Sequence, residues 1–201
     1  MPVTNSKVQA GFTLIEMIIG IVVFAIALTF ITTLIFPQAG KSVDPIMQVR
    51  ATELANTIIS EITAMGYDEN SQNSVRCNDD LNDDGDLDDA GEISCTPIGN
   101  FGPDSSEFRN NTNSNFDDVD DYHGLQQGAG FSDAIIRNSL GEILLVDGQN
   151  LYAGFSISVL VTYDGDMDGV TDSDQSSKLI LVYVTTPGGE TIEFSAYRSN
   201  Y

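Results

Sequence analysis

The chain has 201 residues, enough for one modest domain plus an anchoring segment, and its formal net charge is −22. Only eight residues are lysine or arginine, which argues against nucleic acid as a partner because phosphate binding depends on these side chains. The acidity favours solubility and attraction of cations and disfavours anionic lipid surfaces, although adaptation to a salty habitat explains the charge equally well.

The first predicted element is an apolar helix from Gly11 to Phe36. About 20 apolar residues cross a bilayer at ~1.5 Å per residue, so this run is long enough to span. Its one charged residue is Glu16, and a carboxylate in hydrocarbon costs roughly 2.5–3.5 kcal/mol unless it has a partner. A signal peptide would have a shorter apolar region followed by small residues. A simple signal anchor explains the length but not Glu16, and a buried core helix would need a large domain around it.

The segment Gly11-Phe12-Thr13-Leu14-Ile15-Glu16 resembles the processing site of type IV prepilins and of the related secretion pseudopilins. A short leader with Lys7 precedes it, and the acid stands at the fifth mature position. The resemblance implies cleavage after Gly11 by a membrane prepilin peptidase and N-methylation of Phe12. It also implies that Glu16 pairs with the positive N-terminus of a neighbouring subunit, as a buried charge requires.

The same resemblance implies partners and a location. The partners are other pilin subunits, the prepilin peptidase, the inner-membrane pilus assembly machinery and membrane lipid. The protein would first lie in the inner membrane, crossing it once with the C-terminal domain in the periplasm, and would enter the pilus fibre after assembly.

The chain is therefore predicted to consist of a leader (1–11), a membrane and fibre-core half of a long helix (12–36) and an amphipathic half (37–66). Pro37, Gly40 and Pro45 predict an irregular segment between the two halves. From Ile46 onward, apolar residues recur every three or four positions until the stop signal at Gly66, which predicts one buried stripe. The stripe comprises Met47, Ala51, Leu54, Ala55, Ile58, Ile59, Ile62 and Met65.

Residues 67–130 form an acidic, Asn-, Ser- and Gly-rich region that predicts irregular structure. It holds the two cysteines, Cys77 and Cys95. With this region outside the cytoplasm, a disulfide is favoured and would stabilise the fold by about 3 kcal/mol. A zinc site is not expected, because no second cysteine pair or neighbouring histidine has ligand spacing.

Residues 131–201 predict an antiparallel β-sheet, and hence an α+β, type IV pilin-like fold in which the N-terminal helix packs on the sheet. Gly188-Gly189 predicts a hairpin turn. The predicted strands are Ile143–Asp147, Leu151–Tyr163, Leu179–Thr186 and Thr191–Tyr197.

Two acidic loops carry the front half of a calcium-binding pattern, with oxygen ligands at positions 1, 3 and 5, Gly at 6 and Asp at 9. The first loop offers Asp80, Asn82, Asp84, Asp86 and Asp88, and the second offers Asp164, Asp166, Asp168, Val170 and Asp172. Position 12, which should be Glu, is Gly91 in the first and Gln175 in the second. Solvated acidic turns are the alternative, since such sequences are ordinary turn chemistry. A bound Ca²⁺ would be structural, with a dissociation constant of about 0.1–1 mM.

No catalytic constellation is present in the sequence, and an enzyme is not predicted. His123 is the only histidine and has no serine, cysteine or carboxylate set that forms a triad. The acidic run 117–121 lacks the glycine of a calcium loop and is a weaker candidate.

Several short segments resemble the D-type minor pilins of the mannose-sensitive haemagglutinin (MSHA) pilus. They are Arg50–Ala55, Gly102–Asp104, Val119–Gly124 and Phe194–Arg198. The resemblance implies a minor pilin that serves biogenesis of an MSHA-type pilus. A type II secretion pseudopilin and a membrane-anchored, calcium-dependent binding module are the alternatives.

Overall fold

The computed structural model describes residues 11, 13–41, 44–71, 76–85, 91–109 and 114–200. The chain divides into two compact units, Met1–Pro45 and Ile46–Tyr201. The described part of the first unit is almost entirely the apolar helix, and the second unit is an α+β domain, as predicted.

Helix α1 runs from Leu14 to Lys41. The sequence predicted an irregular segment starting at Pro37, and that expectation was wrong, because the helix continues for four more residues. A proline removes a single backbone hydrogen bond, and the bonds on either side of it are enough to carry the helix onward.

Helix α2, Asp44–Thr63, has Pro45 in its first turn, where the missing N–H has no partner to lose. Its apolar stripe is buried as predicted: Ala51, Leu54, Ala55, Ile58 and Ile62 are at most 1% exposed. The helix ends three residues before Gly66. The Gly66 N–H donates to the Asp117 carbonyl at 3.0 Å and the Gly66 carbonyl accepts from Val119 at 3.1 Å, so the backbone leaves the helix to pair there.

The main sheet has four antiparallel strands in the order β1-β4-β5-β6. These are β1 (Gln126–Gly128), β4 (Ser156–Tyr163), β5 (Ser177–Thr185) and β6 (Thr191–Ser199), and a small hairpin is formed by β2 (Leu145–Val146) and β3 (Gln149–Asn150). Strand β1 lies in the region that was predicted to be irregular. It is only three residues long, too short to show a period-two pattern.

One face of the sheet forms the core with α2. Ile157, Val159 and Val161 of β4 and Phe155 just before the strand are buried, as their alternating spacing predicted. They join Ile180, Val182 and Val184 of β5 and the α2 stripe in one hydrophobic cluster. Ile192 and Phe194 of β6 pack on the edge of this cluster, opposite Val184 and Val182 in register.

The described parts of the acidic region between α2 and β1 follow an irregular path, and the predicted disulfide closes the first part of the region. Cys77 and Cys95 are bonded, with their Cα atoms 4.8 Å apart, and both are buried. The described remainder of the region includes two short 3₁₀ turns, Ile98–Asn100 and Asp120–Tyr122.

Candidate functional site

Thr13 caps the N-terminus of α1. Its Oγ1 accepts the N–H of Glu16 at 3.3 Å, and its carbonyl accepts the N–H of Met17 at 3.2 Å. Thr13 and Glu16 have the spacing of a capping box. Glu16 therefore lies in the first turn, where the free N–H groups of the helix favour a negative charge.

The predicted cleavage point lies just before this cap. Gly11 is exposed, and nothing lies within 4 Å of where its side chain would be. Phe12, the predicted methylated residue, is outside the described residues, as are leader residues 1–10. Cleavage after Gly11 and methylation of Phe12 remain predictions.

From Leu14 to Thr32 the surface of α1 is apolar on every side apart from Glu16 and two threonines. Residues 14–32 form a stretch of mean hydropathy 2.8 that has no buried residue in its own chain. Leu14 is 82% exposed and Phe24 67%. A soluble chain does not leave so much apolar surface in water, and the helix is compatible with membrane anchoring.

A shallow recess of about 450 Å³ lies beside Glu16 on this helix, lined by Met17, Gly20, Ile21 and Phe24. Gly20 follows Glu16 by one turn and adds no side chain to the recess. The apolar walls place the carboxylate beside hydrocarbon-like surface, where an unpaired charge is costly.

Residues 6–32 match the family model of the prokaryotic N-terminal methylation motif. This segment is type IV prepilin-like. The motif is common to type IV pilins and pseudopilins, and it implies processing by a prepilin peptidase and assembly with other pilin subunits. A pilin-like motif is typical of structural subunits. No curated protein and no solved structure matches the chain significantly.

The second acidic loop connects β4 to β5 and closes around Asp164. This carboxylate accepts the N–H of Asp168 at 3.1 Å and that of Gly169 at 2.8 Å, and it also accepts the Tyr197 hydroxyl at 2.6 Å. Burial acts to raise the pKa of Asp164, but these hydrogen bonds outweigh it and lower the pKa below its usual range. Carboxylate oxygens of Asp164, Asp166 and Asp172 lie within 4.8 Å of one another.

The first acidic loop repeats this backbone pattern in its described part. Asp80 accepts the N–H of Asp84 at 3.2 Å and of Gly85 at 2.7 Å, as Asp164 does from the fifth and sixth loop residues. Both loops also have positive φ at the fourth and sixth positions, 59° and 82° here and 59° and 87° in the second loop. Asp86 and Asp88 lie outside the described residues. The shared conformation is dictated by the shared Asp-x-x-x-x-Gly spacing.

The residues after the two loops differ from the calcium pattern in the way the sequence indicated. Glu92, one residue later than position 12 of the first loop, turns back and accepts the N–H of Leu81 at 2.9 Å. In the second loop Gln175 is engaged elsewhere, since its side chain accepts from Asn78. Neither loop has a bidentate glutamate from position 12.

A buried ionic cluster, Lys178 with Asp68 and Asp120, was not foreseen from the sequence. The Lys178 side chain is fully buried and its Nζ contacts Asp68 Oδ2 at 3.1 Å, Asp120 Oδ1 and the Tyr67 carbonyl. The ammonium also lies 4.6 Å from the centre of the Tyr67 ring. The alternation of β5 contained the signal, because Lys178 shares the inward face of Ile180 and Val182.

This Lys178 cluster holds the acidic region against the sheet. Asp68 also accepts the N–H and the hydroxyl of Thr96, at 3.0 and 3.1 Å, directly after the disulfide. Asp118 accepts the N–H of Glu69 at 2.7 Å. Lys178 of β5 therefore holds together two carboxylates that would otherwise repel, Asp68 and Asp120, and Asp68 in turn holds the segment at Thr96.

A second buried ion pair joins the region to α2. Arg109, with a side chain 1% exposed, pairs with Glu61, which also accepts the Tyr122 hydroxyl at 2.9 Å. Glu61 is not one of the predicted stripe residues, yet its side chain is only 9% exposed. Burial and the Glu61 charge raise the pKa of Tyr122 above its usual value, so the hydroxyl remains a donor.

Two carboxyl groups next to the Lys178 cluster have raised pKa values. Burial and the charge of Asp120 raise the pKa of Asp118 to about 7, although Lys178 opposes the shift. Burial, a hydrogen bond with Glu107 and the charge of Asp118 raise the pKa of Asp121 to about 8. These groups hold protons near neutral pH, which lowers the repulsion within the acidic region.

His123 is a packing residue. Its Nδ1 lies 2.7 Å from the Val161 carbonyl, and its ring meets Phe101 edge-on at 5.8 Å.

A polar pocket of about 440 Å³ lies beside the disulfide, lined by Arg76, Asn78, Asp174 and Asn200 among others. Most of these side chains already bond one another or the backbone.

Proposed function

We propose that this protein is a minor pilin of an MSHA-type type IV pilus, processed after Gly11 and incorporated through α1. The observation that carries the proposal is the methylation motif at residues 6–32, on a capped helix that from Leu14 to Thr32 is apolar apart from Glu16 and two threonines. An acidic α+β domain follows that helix, as expected for a subunit whose globular domain faces solvent. The MSHA subtype is supported by the scattered sequence resemblance alone.

In this proposal Glu16 sets the position of each entering subunit. Its carboxylate lies one turn into α1, beside apolar surface, and cannot remain unpaired in hydrocarbon without cost. The methylated amine of Phe12 in a neighbouring subunit supplies the opposite charge. Pairing the two offsets their desolvation and selects one axial position along the fibre.

The first experiment is peptide mass spectrometry on surface fibres sheared from the native organism. The expected result is a peptide that begins at methylated Phe12, which would establish processing and fibre incorporation together. A methylated peptide found only in the inner membrane would favour the secretion pseudopilin. An intact leader at Gly11 would remove the basis of the proposal.

A charge-neutral variant tests the role of Glu16. Glu16→Gln preserves size and the helix but removes the charge, so it should abolish incorporation while membrane insertion and processing continue. Glu53→Gln is the matched control, because Glu53 is an exposed acid of α2. Normal fibres with Glu16→Gln would contradict the pairing mechanism.

We also propose that Ca²⁺ binds the second acidic loop as a structural ion. Three carboxylates there are close enough to share an ion, and their negative charge favours a cation. Titration of the full chain with CaCl₂ should raise its unfolding temperature, and Asp166→Asn should remove most of that increase. Loss of surface or sugar binding in the same variant, with fibre assembly intact, would favour the calcium-dependent binding module.

A further inference from the structure

The outer edge of β6 is a long, regular strand edge. β6 extends from Thr191 to Ser199, is the last strand of the sheet and pairs only with β5. Its register with β5 is continuous over all nine residues. The opposite edge strand, β1, has three residues, too few to extend the sheet usefully.

The hydrogen bonds at both ends of the β5–β6 pair show which groups point outward. The Thr186 N–H donates to the Glu190 carbonyl at 2.8 Å, and the Asn200 N–H donates to the Ser176 carbonyl at 3.0 Å. In an antiparallel pair, bonded positions alternate along the strand. Even-numbered residues of β6 therefore bond β5, and the odd-numbered ones direct their N–H and C=O groups away from the sheet. The outward groups belong to Thr191, Glu193, Ser195, Tyr197 and Ser199.

These outward groups are available for pairing. Across the described ranges of the chain, no backbone or side-chain group bonds to them. Thr191, Glu193 and Ser195 are exposed. Proteins commonly block such edges with proline, lysine or a bulge, and β6 has none of these.

The charge beside this edge indicates the chemistry of an occupant. Glu193 is exposed near one end, and Tyr197 bonds Asp164 of the acidic second loop near the other. The basic residue of the strand, Arg198, contacts the Met65 carbonyl at 3.5 Å and is only partly exposed. A second copy of the chain would add another −22 charge beside the first, whereas a segment with lysine or arginine would be attracted.

We propose that the outer edge of β6 binds an extended, lysine- or arginine-bearing segment of a different protein as an additional antiparallel or parallel strand. Main-chain bonds to the outward groups would supply affinity, and a basic side chain opposite Glu193 would supply selectivity. This interaction is separate from assembly through α1. It can succeed or fail whether or not the chain is processed after Gly11.

The test uses the full chain in detergent micelles and two blocked peptides, one alternating lysine with valine and one alternating glutamate with valine. Peptide binding is measured by fluorescence anisotropy, and amide protection along β6 by hydrogen exchange. The lysine peptide should bind saturably and slow exchange at the outward N–H groups of Glu193 and Ser195. The glutamate peptide should not bind.

Ser195→Pro is the decisive variant, because it removes an outward N–H without removing a bond to β5 and leaves the charge unchanged. Ser195→Pro should weaken binding of the lysine peptide by about tenfold or more, equivalent to about 1.4 kcal/mol or more of binding free energy. Ser195→Ala should bind the peptide as tightly as the parent chain does. Should Ser195→Pro not fold, Thr191→Pro at the start of the strand also removes an outward N–H, and Thr191→Ala is its control because both variants lose the hydroxyl bond to Thr185. Glu193→Gln should also weaken binding of the lysine peptide, but by less than Ser195→Pro does.

Three results would overturn the proposal. They are absence of lysine-peptide binding, equal binding of the peptide to the proline and alanine variants, and protection confined to the acidic loops. Sedimentation that shows a dimer of the chain, lost in Ser195→Pro, would instead assign the edge to a second copy.

Discussion

Lys178 is the residue on which the acidic region most depends. Its ammonium lies among Asp68, Asp120 and the faces of three aromatic rings, with no contact to solvent. Burying a charge is costly, and the cost is offset here by two carboxylates and a carbonyl. The cluster is therefore sensitive to the loss of any one partner.

Lys178→Met should destabilise the second unit by about 3–5 kcal/mol, because it leaves Asp68 and Asp120 buried without a cation. Chemical unfolding of the full chain in micelles, followed by circular dichroism, measures the change. Adding Asp120→Asn to the same variant should recover part of the loss. A double variant no more stable than the single one would contradict the assignment.

Asp121 should make the folded state less stable as pH rises. Its pKa is about 8 in the folded chain against an ordinary 3.8, so the folded state holds a proton that the unfolded state has lost between these values. Stability then falls as pH rises through this window and levels off above it. Asp118, with a pKa of about 7, contributes in the same direction.

Asp121→Asn should flatten this pH dependence, since the amide preserves an acceptor for the Asp117 N–H but cannot ionise. Thermal unfolding at about pH 5, 7 and 9 compares the variant with the parent chain. The variant should gain most at the highest pH. Exposed Asp147→Asn is the control, and an equal gain there would point to general charge reduction.

At the scale of elements, α2 and the sheet form the hydrophobic core. The disulfide stabilises the loop between Cys77 and Cys95, which buries little apolar surface of its own. The loop that the disulfide closes, with Cys77 and Cys95 at a sequence separation of 18, has few apolar side chains, and its described part includes the exposed Leu81 and Ile93. Such a segment cannot offset its conformational entropy by burial. The covalent bond reduces that entropy in the unfolded chain.

Replacing both cysteines, Cys77→Ser with Cys95→Ser, should cost about 3 kcal/mol of stability in the chain-entropy model. Adding a reductant to the parent chain should produce the same shift in the unfolding midpoint and leave the double variant unchanged. A midpoint that does not move on reduction would show that the Lys178 cluster alone holds this segment.

At the scale of the whole molecule, charge is the dominant feature. A net charge of −22 on one small domain disfavours the compact state through self-repulsion, and two of the few cations, Lys178 and Arg109, are buried in pairs. Much of the remaining acid lies in exposed loops, where salt screens it.

Monovalent salt should therefore stabilise the protein. Raising NaCl from about 0.01 M to 0.15 M shortens the screening distance from about 30 Å to 8 Å, and the unfolding midpoint should rise in this range. A chelator present throughout separates screening from binding of Ca²⁺. A midpoint that is independent of NaCl in chelator but rises with CaCl₂ would show that specific ion binding is the larger effect.

The sequence by itself was sufficient to predict the apolar helix, the α2 stripe, the antiparallel sheet and the disulfide. The helices and strands depend on local periodicity, which neighbouring residues carry. The disulfide depends on there being only two cysteines in the sequence. The methylation motif is likewise contiguous. The described part of the first acidic loop and the corresponding part of the second adopt one conformation, because the same Asp-to-Gly spacing recurs in both.

Only the tertiary structure decided which charges are buried. Lys178, Asp68 and Asp120 are far apart along the chain, and their pairing follows from how the acidic region folds over the end of the sheet. The same is true of Arg109 with Glu61, of strand β1 and of the outward groups of β6. The alternation of β5 places Lys178 on the inward face, but long-range packing and strand order determine its partners and the other features named here.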